Sequence, residues 1–178
     1  LLLSGFIWLS NWLASPYYFP PGDDAAVHLD IGEKILQGNW ESYPPLFHLL
    51  TDSLSLITGA SLYQVHIFFP LLLLAVAIPL AIFFAVKKIL GVRNAIIVSG
   101  IFIFLTPRIA EMYAASQFPE IMAIFLAIAV VLTLLTGQKI LPLFLMIALI
   151  ATHHLTAIPC LMALIIYFLI LSPKKFWL

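Results

Sequence analysis

The sequence predicts an all-α fold, a polytopic transmembrane helical bundle with short juxtamembrane helices in its first external loop. Three observations carry that expectation. The 178 residues are 63% hydrophobic and 9% charged, with a mean hydropathy of +1.14, and a chain of that composition cannot cover itself with polar surface in water. Its apolar residues fall into long runs separated by brief polar breaks, as membrane spans do. The stretch from Pro20 to Gly59, in contrast, holds six of the eight acidic residues: Asp23, Asp24, Asp30, Glu33, Glu41 and Asp52. A formal net charge of zero and the lack of any Lys/Arg run longer than two argue against a nucleic-acid partner. Cys160 stands alone, which excludes an intrachain disulfide.

The chain reads as one module, 1–178, with spans at about 1–14, 62–86, 94–112, 117–136, 140–153 and 155–172 and an external loop at 15–61. Residues 1–14 open without Met or a basic region and would be roughly 21 Å long as a helix, short of a ~30 Å hydrocarbon core. They are expected to be a span whose first residues precede Leu1, and a truncation at the other end is expected as well. Ala25 to Leu36 has helical character, with Asp30 and Lys34 spaced for an i,i+4 pair and Gly38 as its stop. Pro44 and Pro45 open a second short helix ending at Gly59. On it Leu46, Leu49, Leu50, Leu54 and Ile57 form one stripe and His48, Thr51, Asp52, Ser55 and Thr58 the opposite one, the pattern of an interfacial helix.

Tyr63 to Val86 is a long apolar run closed by Lys87 and Lys88, and its prolines, Pro70 and Pro79, are of a kind membrane helices tolerate. Ser116 is the expected N-cap of the next apolar helix. Residues 140–172 are divided by Thr152-His153-His154-Leu155-Thr156 and read as two short crossings meeting at the His pair. Alternate crossings then place Lys87, Lys88, Arg93, Lys139, Lys174 and Lys175 on one side and leave Lys34 and Arg108 opposite, as the positive-inside rule expects. The same count puts the acidic loops and the histidines at the non-cytoplasmic face of the cell membrane.

Asp23 and Asp24 sit in a turn at the mouth of the first span. They could hold a divalent cation or act as a general base and its support; equally, Asp24 could cap the following helix while Asp23 is solvated. Asp24 and His28 are four apart, as are His48 and Asp52, so each pair shares a helix face. That spacing serves a proton relay only if the two helices meet over a common pocket; otherwise it makes local hydrogen bonds on wet helices. Glu111 and Glu120 flank the second external loop, with Arg108 three residues before Glu111 as its possible ion-pair partner. His153 and His154 could bind a phosphate or a metal, but neighbours on one helix would point about 100° apart, so only one would face a given site. No zinc-protease, Cys-x-x-Cys, P-loop or dinucleotide motif occurs.

The succession Gly-Asp-Asp-Ala-Ala-Val-His, then Ile-Gly-Glu-Lys-Ile-Leu-Gln-Gly, then Tyr-Pro-Pro-Leu-Phe-His-Leu-Leu-Thr-Asp-Ser-Leu-Ser-Leu-Ile-Thr-Gly before a long span resembles the start of a GT-C glycosyltransferase. The likeness is to prokaryotic members, archaeal ones among them, related to protein O-mannosyltransferases and oligosaccharyltransferase catalytic subunits. It covers the first half of the chain closely and the second half by layout. It implies transfer of a sugar from a polyprenyl-phosphate donor to an acceptor glycan, lipid or protein at the bilayer surface.

On that resemblance Asp23 and Asp24 would be the first-loop catalytic acids, and Glu111 or Glu120 the second-loop acid. His28, His48, Arg108, His153 and His154 would contact substrate. A divalent cation, Mg or Mn, would have Asp24 and Glu111 as candidate ligands. The second loop departs from the family's acid-x-acid motif, since Glu111 and Glu120 are nine positions apart. Two other readings use the same residues: a non-catalytic, lipid-binding subunit of this architecture, and an ion-coupled transporter. The second predicts acids deep in both halves of the membrane, whereas these gather at one face.

Overall fold

The computed structural model describes residues 24–40, 43–104 and 117–166, and among them every regular element is helical. Expectations for Asp23, Arg108 and Glu111, for the span at 1–14 and for the far ends of those at 94–112 and 155–172 lie outside the described residues.

The two short helices form where the sequence places them. Helix α1, Asp24–Leu36, has an acid in its first turn and Lys34 in its last, the arrangement the helix dipole favours. Lys34 Nζ lies 2.7 Å from Asp30 Oδ2, an exposed pair that contributes little. Helix α2, Leu46–Thr58, follows Pro45 and ends at Gly59, whose φ of 72° is the left-handed conformation a glycine adopts without strain. The Gly59 N–H donates to Ser55 O. Helix α3, Leu62–Leu72, starts from a capping box in which Ser61 Oγ accepts from Gln64 N–H and Gln64 Oε1 accepts from Ser61 N–H.

A π-helical turn, Leu73–Ala77, carries α3 into α4, Ile78–Phe104. Pro79 supplies the reason: it has no N–H and its ring crowds the carbonyl four residues back, so the preceding turn widens and Ile78 N–H reaches Leu73 O, five residues back. Gly91, at φ 81° and ψ 173°, then breaks α4. The helix therefore runs on past Lys87 and Lys88, beyond the expected end at 86. Helix α5, Phe118–Leu135, has its N-cap position at Gln117 and not at Ser116, with no side-chain capping bond and Pro119 in the first turn. Helices α6, Leu141–Thr152, and α7, His154–Ile166, meet at His153, which is extended at φ −159° and ψ 96°.

The core gathers Phe47 from α2, Leu71, Leu74 and Ile78 from the α3–α4 rod, Phe118, Ile121, Met122 and Leu126 from α5, Leu149 from α6 and Ala157 from α7. Helix α2 lies over one end of this core, against α1, α3, α5 and α6. Its polar stripe was expected to face water. Instead His48, Thr51 and Asp52 are buried against the other helices, while Leu50, Leu56 and Ile57 are exposed. The helix is thus turned with much of its hydrocarbon outward, which is favourable where the surroundings are lipid and unfavourable in water.

Two described segments, Leu62–Phe102 and Phe118–Leu135, are long and apolar enough to cross a membrane, the first with its break at Gly91. Helices α6 and α7 are shorter apolar segments. They nonetheless expose Leu143, Phe144, Ile147, Leu155, Ile158 and Met162, side chains whose exposure suits a lipid or protein environment better than water.

Candidate functional site

The inward stripe of α2 builds a polar layer under the two short helices. His48 is fully buried, and its ring centroid lies 5.2 Å from that of His28 on α1 and 6.0 Å from that of His66 on α3. Phe47 packs edge-on to His66 at 5.4 Å, and Tyr43 lies edge-on to both His28 and His48 at 5.7 Å. The close approach of α1 depends on Gly32. A Cβ there would come within 3.0 Å of Asp52 Oδ1 and of Leu62 Cδ2 and within 3.6 Å of His66 Cε1. One missing methyl group thus lets three helices meet over the Asp52 carboxylate.

Most of this layer's polar atoms lack hydrogen-bond partners among the described residues: His28 Nδ1, both His48 ring nitrogens, both Asp52 oxygens and His66 Nε2. Buried polar atoms are nearly always paired with protein or ordered water, so these atoms are the layer's uncommitted hydrogen-bonding capacity. Only part of the layer is committed. His66 Nδ1 donates to Leu62 O at 3.0 Å, and Thr51 Oγ1 donates to His48 O at 3.0 Å.

Burial sets the charge state. It lowers the His28 pKa to about 4, a fall that the Asp24 charge opposes and His153 reinforces. Burial, with His28 and His66 as neighbours, lowers His48 to about 3. Burial raises the Asp52 carboxyl to about 6. At neutral pH, His28 and His48 are therefore neutral rings, each able to donate one N–H and accept at the other nitrogen.

Above the layer lies a more open rim. Tyr43, half-buried, has its phenol pKa raised first by burial and then by the carboxylates of Asp24 and Glu120. Asp24 is exposed at the start of α1, Glu120 half-buried in the first turn of α5. Glu120 is also within electrostatic reach of His153, whose Nδ1 shares a 2.7 Å hydrogen bond with Thr156 Oγ1. His154 is exposed, yet its ring lies nearly parallel to that of His153, 6.3 Å away and 27° off. His153 is extended and lies between α6 and α7, so the 100° offset of neighbours on one helix does not apply to this pair.

Of the candidates from sequence, Asp24, His28, His48, Glu120 and His153 converge on this end of the protein. Asp23, Arg108 and Glu111 lie outside the described residues. Among the described residues no three His, Cys, Asp or Glu side chains are placed to hold a metal ion. Sequence reasoning assigned no role to His66 or Gly32, and it gave the His48–Asp52 pair a role only if the two short helices meet, as they do. The available signal was a lone imidazole in the first turns of an apolar span, which has to face protein or pay heavily for facing lipid.

No protein-family model, curated protein or solved structure matches the chain.

Proposed function

We propose that this chain is the N-terminal transmembrane module of a GT-C-type glycosyltransferase, a polytopic helical bundle that moves a sugar from a polyprenyl-phosphate donor to an acceptor at the non-cytoplasmic face of the cell membrane. The single observation that supports this best is the shared neighbourhood of Tyr43. Asp24 from the first loop and Glu120 from the edge of the second both act on its phenol, beside His28 and a layer of unpartnered imidazoles. Such a transferase needs carboxylates from both loops over one pocket, hydrogen-bond donors for a phosphate, and hydrocarbon alongside for the carrier's tail.

In this reading Asp23 is the base, with Asp24 beside it as support or as ligand to a divalent cation. The base takes the proton of the acceptor hydroxyl or amide as the acceptor's heteroatom forms its bond to the anomeric carbon. The bond from that carbon to the phosphate oxygen breaks, and the electron pair leaves with the lipid phosphate. A single displacement inverts the anomeric centre. Neutral His28 and His48 donate N–H bonds to the departing phosphate without the cost of burying a cation. Glu120 holds the acceptor or the sugar from the opposite side.

Native mass spectrometry of the full-length protein, released gently from its membrane, tests this. A polyprenyl-phosphate sugar should co-purify and should accumulate in Asp23→Asn and Asp24→Asn, which bind donor but do not turn it over. A carrier bound equally by wild type and both variants would point to a lipid-binding subunit, and no carrier at all would contradict the reading.

A further inference from the structure

At the opposite end of the same helices, Phe84, Lys87 and Lys88 on α4, Leu132 on α5 and Thr136 at the α5 C-cap line an open groove of 330 Å³. Its lining combines two lysines with hydrocarbon side chains. Lys87 and Lys88 are exposed, and no acidic partner for either occurs among the described residues, whose acids lie on α1, on α2 and in the first turn of α5. Thr136 Oγ1 already donates to the α5 backbone at Thr133 O, so the lysines are the groove's free donors. Phe84, half-exposed, and Leu132 form the hydrocarbon wall, and Ile89 and Leu90 continue an exposed apolar surface beside it.

We propose that this groove binds an anionic glycerophospholipid, its phosphate against Lys87 and Lys88 and the first acyl carbons against Phe84 and Leu132. Charge complementarity commits the site to an anion, and the apolar wall commits it to a lipid, because a free phosphate would gain nothing from Phe84 or Leu132. The size agrees: 330 Å³ is at the small end of ligand clefts, enough for a headgroup and the carbons next to it while the chains lie along the protein in the bilayer. Basic pockets between membrane helices recognise headgroups in this way. The site is remote from the His and Asp layer, so it stands or falls independently of the transferase reading.

The test is full-length protein in nanodiscs of phosphatidylcholine containing a minor fraction of phosphatidylglycerol, followed by native mass spectrometry of the lipids retained on release. Wild type should keep one phosphatidylglycerol in preference to phosphatidylcholine. The Lys87→Gln/Lys88→Gln double variant should lose that preference by roughly 30-fold, from about a factor of five for each lysine near an anionic surface. Phe84→Ala should weaken retention with both charges intact, and excess inorganic phosphate should not displace the lipid. Lys139→Gln, at an exposed cation three residues past Thr136 that does not line the groove, should retain it. Equal losses in Lys139→Gln and the double variant would reduce the effect to diffuse charge and overturn the proposal, as would displacement by phosphate or equal retention of the two lipids.

Discussion

The two ends of the helical rod treat their ionisable groups in opposite ways. At the α1–α2 end, His28, His48, Asp52 and His66 are buried, and most of their polar atoms go unpartnered. At the other end Lys87, Lys88 and Lys139 stand in the open. Solvated cations hold a helix end at an interface at almost no cost. A buried set of imidazoles and a carboxylate costs stability, and such a cost is retained where a site needs it. The proposed transferase reading assigns chemistry to the buried end and anchoring to the open one.

The comparison is broken most sharply by turnover. Asp23→Asn and Asp24→Asn are each expected to cut sugar transfer by about 10²-fold or more if a general base or its support is lost, whereas Lys87→Gln should leave the rate unchanged. Transfer assays on full-length protein decide between them.

Stability gives the next effect. A carboxyl whose folded pKa is raised from 3.8 to about 6 favours folding least when ionised, so its contribution is lost as pH rises through that window. Asp52→Asn should therefore stabilise the protein by about 1–3 kcal/mol at pH 7 and by little below pH ~4, measured by thermal unfolding in detergent. His28 and His48, with folded pKa values lowered to about 4 and about 3, work in the reverse sense: their contribution is present above the unfolded value of 6.5 and is lost as pH falls. Between about pH 4 and 6 these two groups outnumber Asp52. The three together should make stability rise with pH by ~1.4 kcal/mol per unit, and Asp52→Asn should steepen that slope.

Gly32→Ala tests the contact that closes the layer. The added methyl gains about 1 kcal/mol of helix propensity but meets Asp52 and Leu62 at 3.0 Å, an overpacking cost of about 1–3 kcal/mol. A net loss of about 1 kcal/mol is expected, with α1 protected less well from hydrogen exchange. The smallest effect belongs to the open end, where Lys87→Gln should shift stability by less than about 0.5 kcal/mol.

Much of this contrast can be read in the sequence. Gly38, Pro45 and Gly59 delimit α1 and α2 as turn chemistry requires, and the Thr-His-His-Leu-Thr break falls where α6 gives way to α7. The i,i+4 spacings of Asp24 with His28 and of His48 with Asp52 likewise place each pair on one face. What periodicity does not carry is which face of an amphipathic helix turns inward. A polar stripe reads as a wet surface, but next to lipid the apolar stripe has the better environment outside, and α2 is turned that way. Gly32 and His66 were illegible for a related reason, since their importance arises from three helices meeting and no single element reveals it.

The most direct test of the central claim, that the buried His and Asp end receives the lipid-linked sugar, is photocrosslinking. A polyprenyl-phosphate sugar carrying a diazirine on its first isoprene unit would be bound to full-length protein, irradiated and mapped by peptide mass spectrometry. Labels within Asp24–Leu36, Leu46–Thr58 and the first turns of Phe118–Leu135, competed by unlabelled donor, are the predicted result. Labels confined to the Lys87–Lys88 end, or insensitive to competition, would contradict it.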